Sequence, residues 1–187
     1  MLKSFAYSAD VQRLGTLANV ADEDLRPATD PQMLEAFIHP SRYPSRFSDG
    51  TYGIYYAARA LETAVHEVVF HRARFYAATG EPPLRVPLRD HVADVNGELH
   101  DLLTNPEDWA AVYDPDPERY RAAQQLGREL KLAGSYGIAY RSVRHRGGEC
   151  VAVFRPPVLS RYRLAQHIAL EWNGREIIGY SPFSALT

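Results

Sequence analysis

The spacing of apolar residues changes within residues 52–76, and this change constrains the fold more than any other feature. From Tyr52 to Ala57 the sequence YGIYYA is rich in aromatic and β-branched residues, which is typical of a β-strand. From Leu61 onward, apolar residues recur at the i, i+3, i+4, i+7 and i+8 positions of a helix that packs by one face. The sequence therefore predicts a strand followed by a helix over residues 60–76.

The other predicted elements indicate a mixed architecture. Strands are predicted as short runs within 84–103, at 137–143 and 149–154, and as a hairpin over 162–180 that turns at Asn173-Gly174. Helices are predicted at 33–37 and 115–133, after an irregular, proline-rich approach over 22–45. The predicted fold class is α/β (α+β), with a compact, largely antiparallel split sheet and flanking helices. At 187 residues without a repeat or linker, the chain is expected to form one domain, 1–187.

Composition excludes several classes of protein. The net charge of −2 gives no general electrostatic reason to bind nucleic acid, so no direct nucleic-acid binding is expected. Cys150 is the only cysteine, which excludes an internal disulfide and a cysteine-based zinc cluster. No apolar run approaches the roughly twenty residues needed to span a bilayer. We expect a cytoplasmic protein without a membrane partner.

Arg46 is the first candidate site residue. A guanidinium offers a fixed fork of donors to a diphosphate or a ribose and stays charged at every relevant pH. The turn-forming segment 48–50 follows, so Arg46 is expected to project beside the tyrosine strand. Tyr55 and Tyr56 point to opposite faces of an extended segment. We assign Tyr56 to the site, where it can stack on a ring or form a hydrogen bond, with sheet packing as the alternative.

Glu67 and Ser142 are the candidates for chemistry. On a helical wheel Glu67 lies about 60° from Ala64 and about 40° from His71, at the edge of the apolar stripe. A half-buried carboxylate there can stabilise a developing sugar cation without a metal. The alternative is a surface pair with His71 at i+4. Ser142 can bind a ribose or phosphate oxygen or simply end a strand, and no Gly-x-Ser-x-Gly motif marks it as a hydrolase nucleophile.

The basic segment 144–146 leaves two interpretations open. Arg144, His145 and Arg146 can supply an anion pocket for phosphate, or they can form a solvated loop. The seven histidines show no HExxH or comparable spacing, so no metal ligand set is predicted.

Together these motifs resemble the RES-domain toxins, a bacterial family named for its Arg, Glu and Ser positions and usually encoded beside an Xre-type antitoxin. The resemblance rests on Arg46 in SRFSDG, Tyr56 in GIYYAA, Glu67 in ETAVHEVVFHR and Ser142 in GIAYRSVRHRGGECVAVFRP. It covers core motifs over 42–156, whereas the first 40 residues add little. It implies a fold similar to that of the ADP-ribosyltransferases of the diphtheria-toxin type.

The resemblance also implies an activity, namely cleavage of the nicotinamide–ribose bond of NAD by the toxin of a type II toxin–antitoxin system. Arg46 would hold the diphosphate or the nicotinamide-side ribose, and Tyr56 would orient the nicotinamide riboside. Glu67 would stabilise the sugar cation, and Ser142 would fix the ribose or the acceptor. No cofactor is then required, because NAD is the substrate and inorganic phosphate is a candidate co-substrate.

The implied partner is an Xre-type antitoxin that covers the NAD cleft in a toxin–antitoxin hetero-oligomer. Three other functions remain open: a protein ADP-ribosyltransferase that uses NAD, a ribonuclease toxin, and a non-enzymatic interaction domain. The mildly acidic charge argues against the ribonuclease. The interaction domain leaves the grouping of Arg46, Tyr56 and Glu67 unexplained. The sequence does not decide whether water, phosphate or a protein side chain accepts the sugar.

Overall fold

The computed structural model describes residues 2–5, 20–25, 30–39 and 43–183. Its strands are β1 Leu2–Phe5, β2 Tyr55–Ala58, β3 Leu84–Val95, β4 His100–Asp101, β5 Gly137–Arg141, β6 Glu149–Val153, β7 Leu159–Trp172 and β8 Ile177–Pro182. Its helices are α1 Pro31–Ile38, α2 Leu61–Thr79 and α3 Arg121–Leu132. Short 3₁₀ segments lie at Asp22–Asp24, Pro106–Trp109, Pro117–Arg119 and Pro156–Val158.

The described strands form one eight-stranded sheet in the order β4-β5-β6-β2-β1-β3-β7-β8. The pairings are antiparallel except for β4 with β5, which is parallel. Its two halves, β4-β5-β6-β2 and β1-β3-β7-β8, meet where Lys3 of β1 pairs with Ala58 of β2. The predicted mixed fold class with a largely antiparallel split sheet and flanking helices is confirmed.

Helix α2 packs against both halves of the sheet. Ala64 belongs to the buried cluster of the first half, which also contains Phe47. Val65 and Tyr76 belong to the cluster of the second half, together with Leu88 and other residues of β3 and β7. Helix α2 therefore spans the junction between the two halves of the sheet. A side chain between Ala64 and Tyr76 can reach the ends of strands in the first half.

The helix itself follows from the predicted periodicity, but it is longer than predicted. It begins at Leu61 and continues three residues past Tyr76, to Thr79. It ends because Gly80 adopts a left-handed conformation, with φ 67°, and its N–H bonds to the carbonyl of Tyr76. Helix α1 likewise extends the predicted 33–37 to Pro31–Ile38, because Asp30 caps the N–H groups of Gln32 and Met33.

The prediction of short strands within 84–103 was wrong. Residues 84–95 form the single strand β3, and β4 is a two-residue strand beyond the turn at Asn96-Gly97. Pro87 does not interrupt β3, because β1 pairs only with Asp90–Ala93 and the missing N–H of Pro87 lies beyond that pairing. Neighbouring strands, invisible in the local pattern, decide whether a proline is tolerated.

The remaining predicted elements are found with shifted ends. The strand predicted from Tyr52 begins only at Tyr55, and the helix predicted over 115–133 divides into a 3₁₀ turn and α3. The hairpin around Asn173-Gly174 is confirmed as β7 and β8. Parts of the predicted irregular approach over 22–45, and the first residue of the motif range 42–156, lie outside the described residues. Within the described residues, no helix is long and apolar enough to cross a membrane.

Candidate active site

Glu67 and Ser142 are in direct contact, although they are 75 positions apart. Ser142 Oγ donates a hydrogen bond of 2.6 Å to Glu67 Oε1, a length typical of a hydroxyl that donates to an ionised carboxylate. Glu67 is half-buried on α2, and Ser142 is 9% exposed just beyond the end of β5. The bond fixes one carboxylate oxygen. Among the described contacts Oε2 has no partner, so it can face a ligand.

Ser142 is itself fixed by the loop that follows it. Its Oγ accepts hydrogen bonds from the backbone N–H groups of Arg144 at 3.0 Å and His145 at 2.9 Å. Its own backbone N–H donates to the carbonyl of Gly148 at 2.8 Å. Because two donors already point at the hydroxyl oxygen, its proton is directed away from the loop and toward Glu67.

Arg46 is 7% exposed and is held by oxygen atoms of one distant segment. Its Nη1 donates to the carbonyls of Val112 at 2.7 Å and Asp114 at 3.0 Å, and its Nη2 donates to Tyr120 Oη at 3.1 Å. The guanidinium carbon lies 4.3 Å from the centroid of the Tyr120 ring, a cation–π contact. These bonds use three of the five N–H groups, which leaves Nε–H and one Nη2–H for a ligand.

Arg144 converges on the same tyrosine. Its Nη2 donates to Tyr120 Oη at 3.0 Å and to the carbonyl of Pro115, and its guanidinium carbon lies 3.4 Å from the centroid of the Phe70 ring. Within residues 43–183, neither Arg46 nor Arg144 has a carboxylate at ion-pair distance. In the same part of the chain Arg144 Nε is buried without a hydrogen-bond partner. Buried donors of this kind are satisfied by binding an anion.

Tyr55 and Tyr56 lie on opposite sides of β2, and Tyr56 lies on the side of the loop that carries Arg46. Tyr55 is 4% exposed and stacks on Phe37 of α1. Tyr56 Oη contacts Ser45 Oγ at 2.9 Å and accepts a hydrogen bond of 3.0 Å from the backbone N–H of Phe47. Those two residues flank Arg46 in the chain. Tyr56 therefore holds the loop that carries Arg46.

The ionisation of Tyr56 is suppressed. Burial raises the pKa of Tyr56 to about 12, although its hydrogen bonds with Ser45 and Phe47 and the charge of Arg46 act in the opposite direction. The phenol is thus protonated throughout the physiological range. Because its oxygen accepts from Phe47, its proton is available to Ser45 or to a ligand.

The charges of Arg46 and Glu67 reach the same buried groups. Burial is the main cause that raises the pKa of Cys150 to about 12, and the charge of Glu67 adds to this effect while Arg46 opposes it. Tyr140 has a raised pKa for the same reasons, with burial first. The cationic and anionic groups also adjoin in the structure, because the backbone N–H of Arg144 donates to Ser142 Oγ.

A model of the RES domain matches residues 24–173 of this chain, which is more than half of its length. The chain belongs to the RES domain family. No curated protein gives a significant match. Among solved structures, a chain of the crystal structure of the M. tuberculosis MbcT–MbcA toxin–antitoxin complex is similar, with 18% sequence identity and a TM-score of 0.45. The similarity covers 71% of this chain and 74% of that chain.

The structure of this RES domain adds Tyr120 as a candidate site residue, and its contacts favour the anion-pocket interpretation for Arg144. Tyr120 is 5% exposed and receives hydrogen bonds from both arginines. Its sequence context, DPERYR ahead of a helix, carries no signal for this role, because its partners are 74 and 24 positions away. Arg144 lies in the site, whereas Arg146 is exposed and remains a surface residue.

Concave surface alone does not identify the site of this RES domain. A depression of about 600 Å³ lies between the 20–24 segment, α3 and Arg155, and none of the four predicted site residues lines it. The converging hydrogen bonds, and not the size of that depression, identify the candidate site. A substrate site has to bring reactive groups together, and open volume alone does not.

Proposed function

We propose that this RES domain is the toxin of a type II toxin–antitoxin system, and that it cleaves the nicotinamide–ribose bond of NAD. The resulting loss of NAD would arrest growth. One observation carries the proposal: the hydrogen-bonded pair of Glu67 and Ser142 shares a site with two arginines that have no carboxylate partner among the described residues. This arrangement matches the two demands of the reaction, an anionic substrate and a cationic sugar.

The arginines suit the diphosphate. Arg46 is fixed by three oxygen acceptors, so its remaining N–H donors are aimed before a ligand arrives. Arg144 supplies a buried Nε–H that lacks a partner. Two guanidinium groups on one side of the site bind two phosphate groups with little reorganisation, and each charge-assisted hydrogen bond is stronger than a neutral one.

The carboxylate suits the sugar. When the bond between the ribose carbon and the nicotinamide nitrogen breaks, its electron pair moves to the nitrogen and nicotinamide leaves as a neutral molecule. Positive charge develops on the ribose, and Glu67 stabilises it because its carboxylate is already oriented by Ser142. Water or phosphate then attacks the sugar carbon and loses a proton. Tyr56 keeps its proton and positions the Arg46 loop.

The decisive experiment is incubation of the purified chain with NAD, with and without inorganic phosphate, followed by chromatography of the products. We expect nicotinamide release, with ADP-ribose as the second product in water and ADP-ribose 1″-phosphate if phosphate is the acceptor. Radiolabel from NAD that appears on a macromolecule would instead identify a protein ADP-ribosyltransferase. RNA cleavage with NAD unchanged would overturn the proposal in favour of a ribonuclease.

We propose further that an Xre-type antitoxin restrains the activity by covering the NAD site. The site offers such a partner two guanidinium groups, so an antitoxin carboxylate or carboxy-terminus is the expected contact. Addition of the cognate antitoxin should then slow nicotinamide release and raise the apparent KM for NAD linearly with the concentration of free antitoxin. Inhibition that excess NAD does not relieve would place the antitoxin elsewhere.

A further inference from the structure

Three potential metal ligands meet on the surface of α2. Glu62 and His66 are one helical turn apart, and His145 reaches them from the loop between β5 and β6. One ligand atom from each of the three side chains lies within 4.8 Å of the others. The spacing of histidines along the chain predicted no metal ligand set, because His145 lies 79 positions after His66 and meets it only in the folded structure.

His145 is oriented as a metal ligand would be. Its Nδ1 forms a hydrogen bond of 2.9 Å with Thr63 Oγ1, and Thr63 is 1% exposed. When Nδ1–H donates to this hydroxyl, the lone pair is on Nε2, which lies 3.9 Å from Glu62 Oε1. Metal-binding histidines generally donate their second ring N–H to a protein oxygen, which fixes the tautomer and the ring orientation.

The surrounding loop is shaped around this contact. A Cβ at Gly148 would lie 2.7 Å from Thr63 Oγ1 and 2.5 Å from its methyl carbon, so glycine is required for the loop to approach α2. Gly147 adopts φ 80°, which turns the loop back toward the helix. Thr63 and His145 both line a depression of about 270 Å³, and Glu62 and His66 are exposed on the helix, so an ion can reach them from solvent.

The geometry needs only a small adjustment to hold an ion. The rings of His66 and His145 are stacked, with centroids 4.7 Å apart and planes 7° from parallel. Ligand atoms around a tetrahedral zinc ion are about 3.3 Å apart, given bonds of about 2.0–2.1 Å. Glu62 and His66 are exposed, so rotation of their side chains can supply this convergence.

Two arginines, Arg59 and Arg146, line the same depression. Nη1 of Arg59 forms an ion pair of 2.8 Å with Glu149 Oε2, which offsets its charge. Arg146 is exposed, so its charge is screened by solvent, as is the charge of Glu62. Among the three candidate ligands, Glu62 supplies the negative charge.

We propose that Glu62, His66 and His145 bind one divalent transition-metal ion of the zinc class, with water as the fourth ligand. Two imidazoles and one carboxylate are a ligand set that zinc uses. The ion would tie the loop over 142–148 to α2. The backbone N–H of His145 donates to Ser142 Oγ. A metal ion that fixes His145 would therefore also fix the hydroxyl that orients Glu67.

Titration of the metal-free full-length chain with Zn²⁺ in a calorimeter tests the site directly. We expect one ion per chain, and we expect Co²⁺ to give the intense visible absorption of a tetrahedral complex. His66→Gln should weaken zinc binding at least about a hundredfold, whereas His167→Gln on β7, an exposed histidine elsewhere, should leave it unchanged. Absence of one-to-one binding in the unaltered chain, or equal affinity in His66→Gln, would overturn the proposal.

Thr63→Val provides a second test that does not remove a ligand. Valine has the same shape, so the buried position should remain packed, but His145 loses the partner that fixes its tautomer. We expect zinc affinity to fall about tenfold to a hundredfold. A variant that folds, as judged by circular dichroism, and binds zinc as tightly as the unaltered chain would show that Thr63 does not orient a ligand. These readouts do not depend on NAD cleavage, so this proposal can fail while the proposed function stands.

Discussion

The anionic and cationic parts of the candidate site are built in different ways. The anionic part joins two regular elements, because Glu67 lies within α2 and Ser142 directly follows β5. The cationic part joins irregular segments, because Arg46 lies in a loop and bonds to carbonyls at Val112 and Asp114. Regular elements position a side chain through packing, whereas irregular ones need specific hydrogen bonds.

This difference predicts different consequences of mutation. Glu67, the charged residue of the anionic part, can be changed with little loss of fold stability, since α2 is held by its own packing. Arg46 is itself a structural tie between two segments, so it serves folding and binding together. Mutations should therefore separate activity from stability in the first part and couple them in the second.

The largest effect is expected for Glu67→Gln. The amide has the same shape but cannot stabilise a cationic sugar, so nicotinamide release should fall about a hundredfold to a thousandfold. Stability toward urea should change by less than about 1 kcal/mol, because Ser142 can still donate to the amide oxygen. Glu98→Gln, at an exposed position, is the matched control and should be fully active. Near-normal turnover in Glu67→Gln would remove this residue from its role.

Ser142→Ala should have the next largest effect. It frees the carboxylate of Glu67 and leaves the N–H groups of Arg144 and His145 without their acceptor. We expect kcat to fall about tenfold to a hundredfold through misplacement of the carboxylate. Ser160→Ala at an exposed position is the control. A rise in KM for NAD with kcat unchanged would contradict the orienting role.

Arg46→Lys and Arg144→Lys directly test the comparison between fold and binding. Lysine cannot satisfy the three acceptors of Arg46, so that variant should lose about 2–3 kcal/mol of stability in addition to weaker NAD binding. Arg144→Lys should raise KM about tenfold and lose only about 1 kcal/mol. Urea unfolding and steady-state kinetics measure both. Equal stability losses in the two variants would show that Arg46 has no special structural role.

Tyr56→Phe should give the smallest effect, with a defined pH dependence. The unfolded chain ionises tyrosine near pH 10, whereas the folded pKa of Tyr56 is raised to about 12 by burial. The stability from this group is therefore fully present below pH 10 and is lost as pH rises toward 12. The variant should lose about 1–2 kcal/mol at pH 7 and show a shallower decline above pH 10. Tyr180→Phe, exposed, is the control, and an unchanged slope in Tyr56→Phe would contradict the assignment.

Much of the fold could be predicted because local periodicity reports how a segment packs. The switch of period after Ala58 predicted β2 and α2, and Asn173-Gly174 predicted the β7–β8 hairpin. The long strand β3 was predicted as separate short strands because the polar residues 89–91 interrupt the apolar pattern. The strand is continuous there because both β1 and β7 pair with it, which the local sequence does not show.

The predicted site residues are brought together only in part by local sequence. Tyr56 and Glu67 lie on the consecutive elements β2 and α2, which the sequence predicted. The role of Tyr120 could not be predicted, because a tyrosine ahead of a helix usually serves packing and nothing nearby marks it as an acceptor for two arginines. The role of Tyr120 as an acceptor depends on contacts between segments more than 20 positions apart.

The sequence by itself determined most of the elements, the placement of Tyr55 and Tyr56 on opposite sides of β2, and the identity of the chemical groups. Those follow from periods of about 2 and 3.6 residues and from side-chain chemistry, both of which are local. Only the tertiary structure decided that Ser142 contacts Glu67, that Arg46 and Arg144 share Tyr120, and that His145 meets Glu62 and His66. These contacts join residues distant in the chain, and their formation depends on the packing of the whole sheet and its helices.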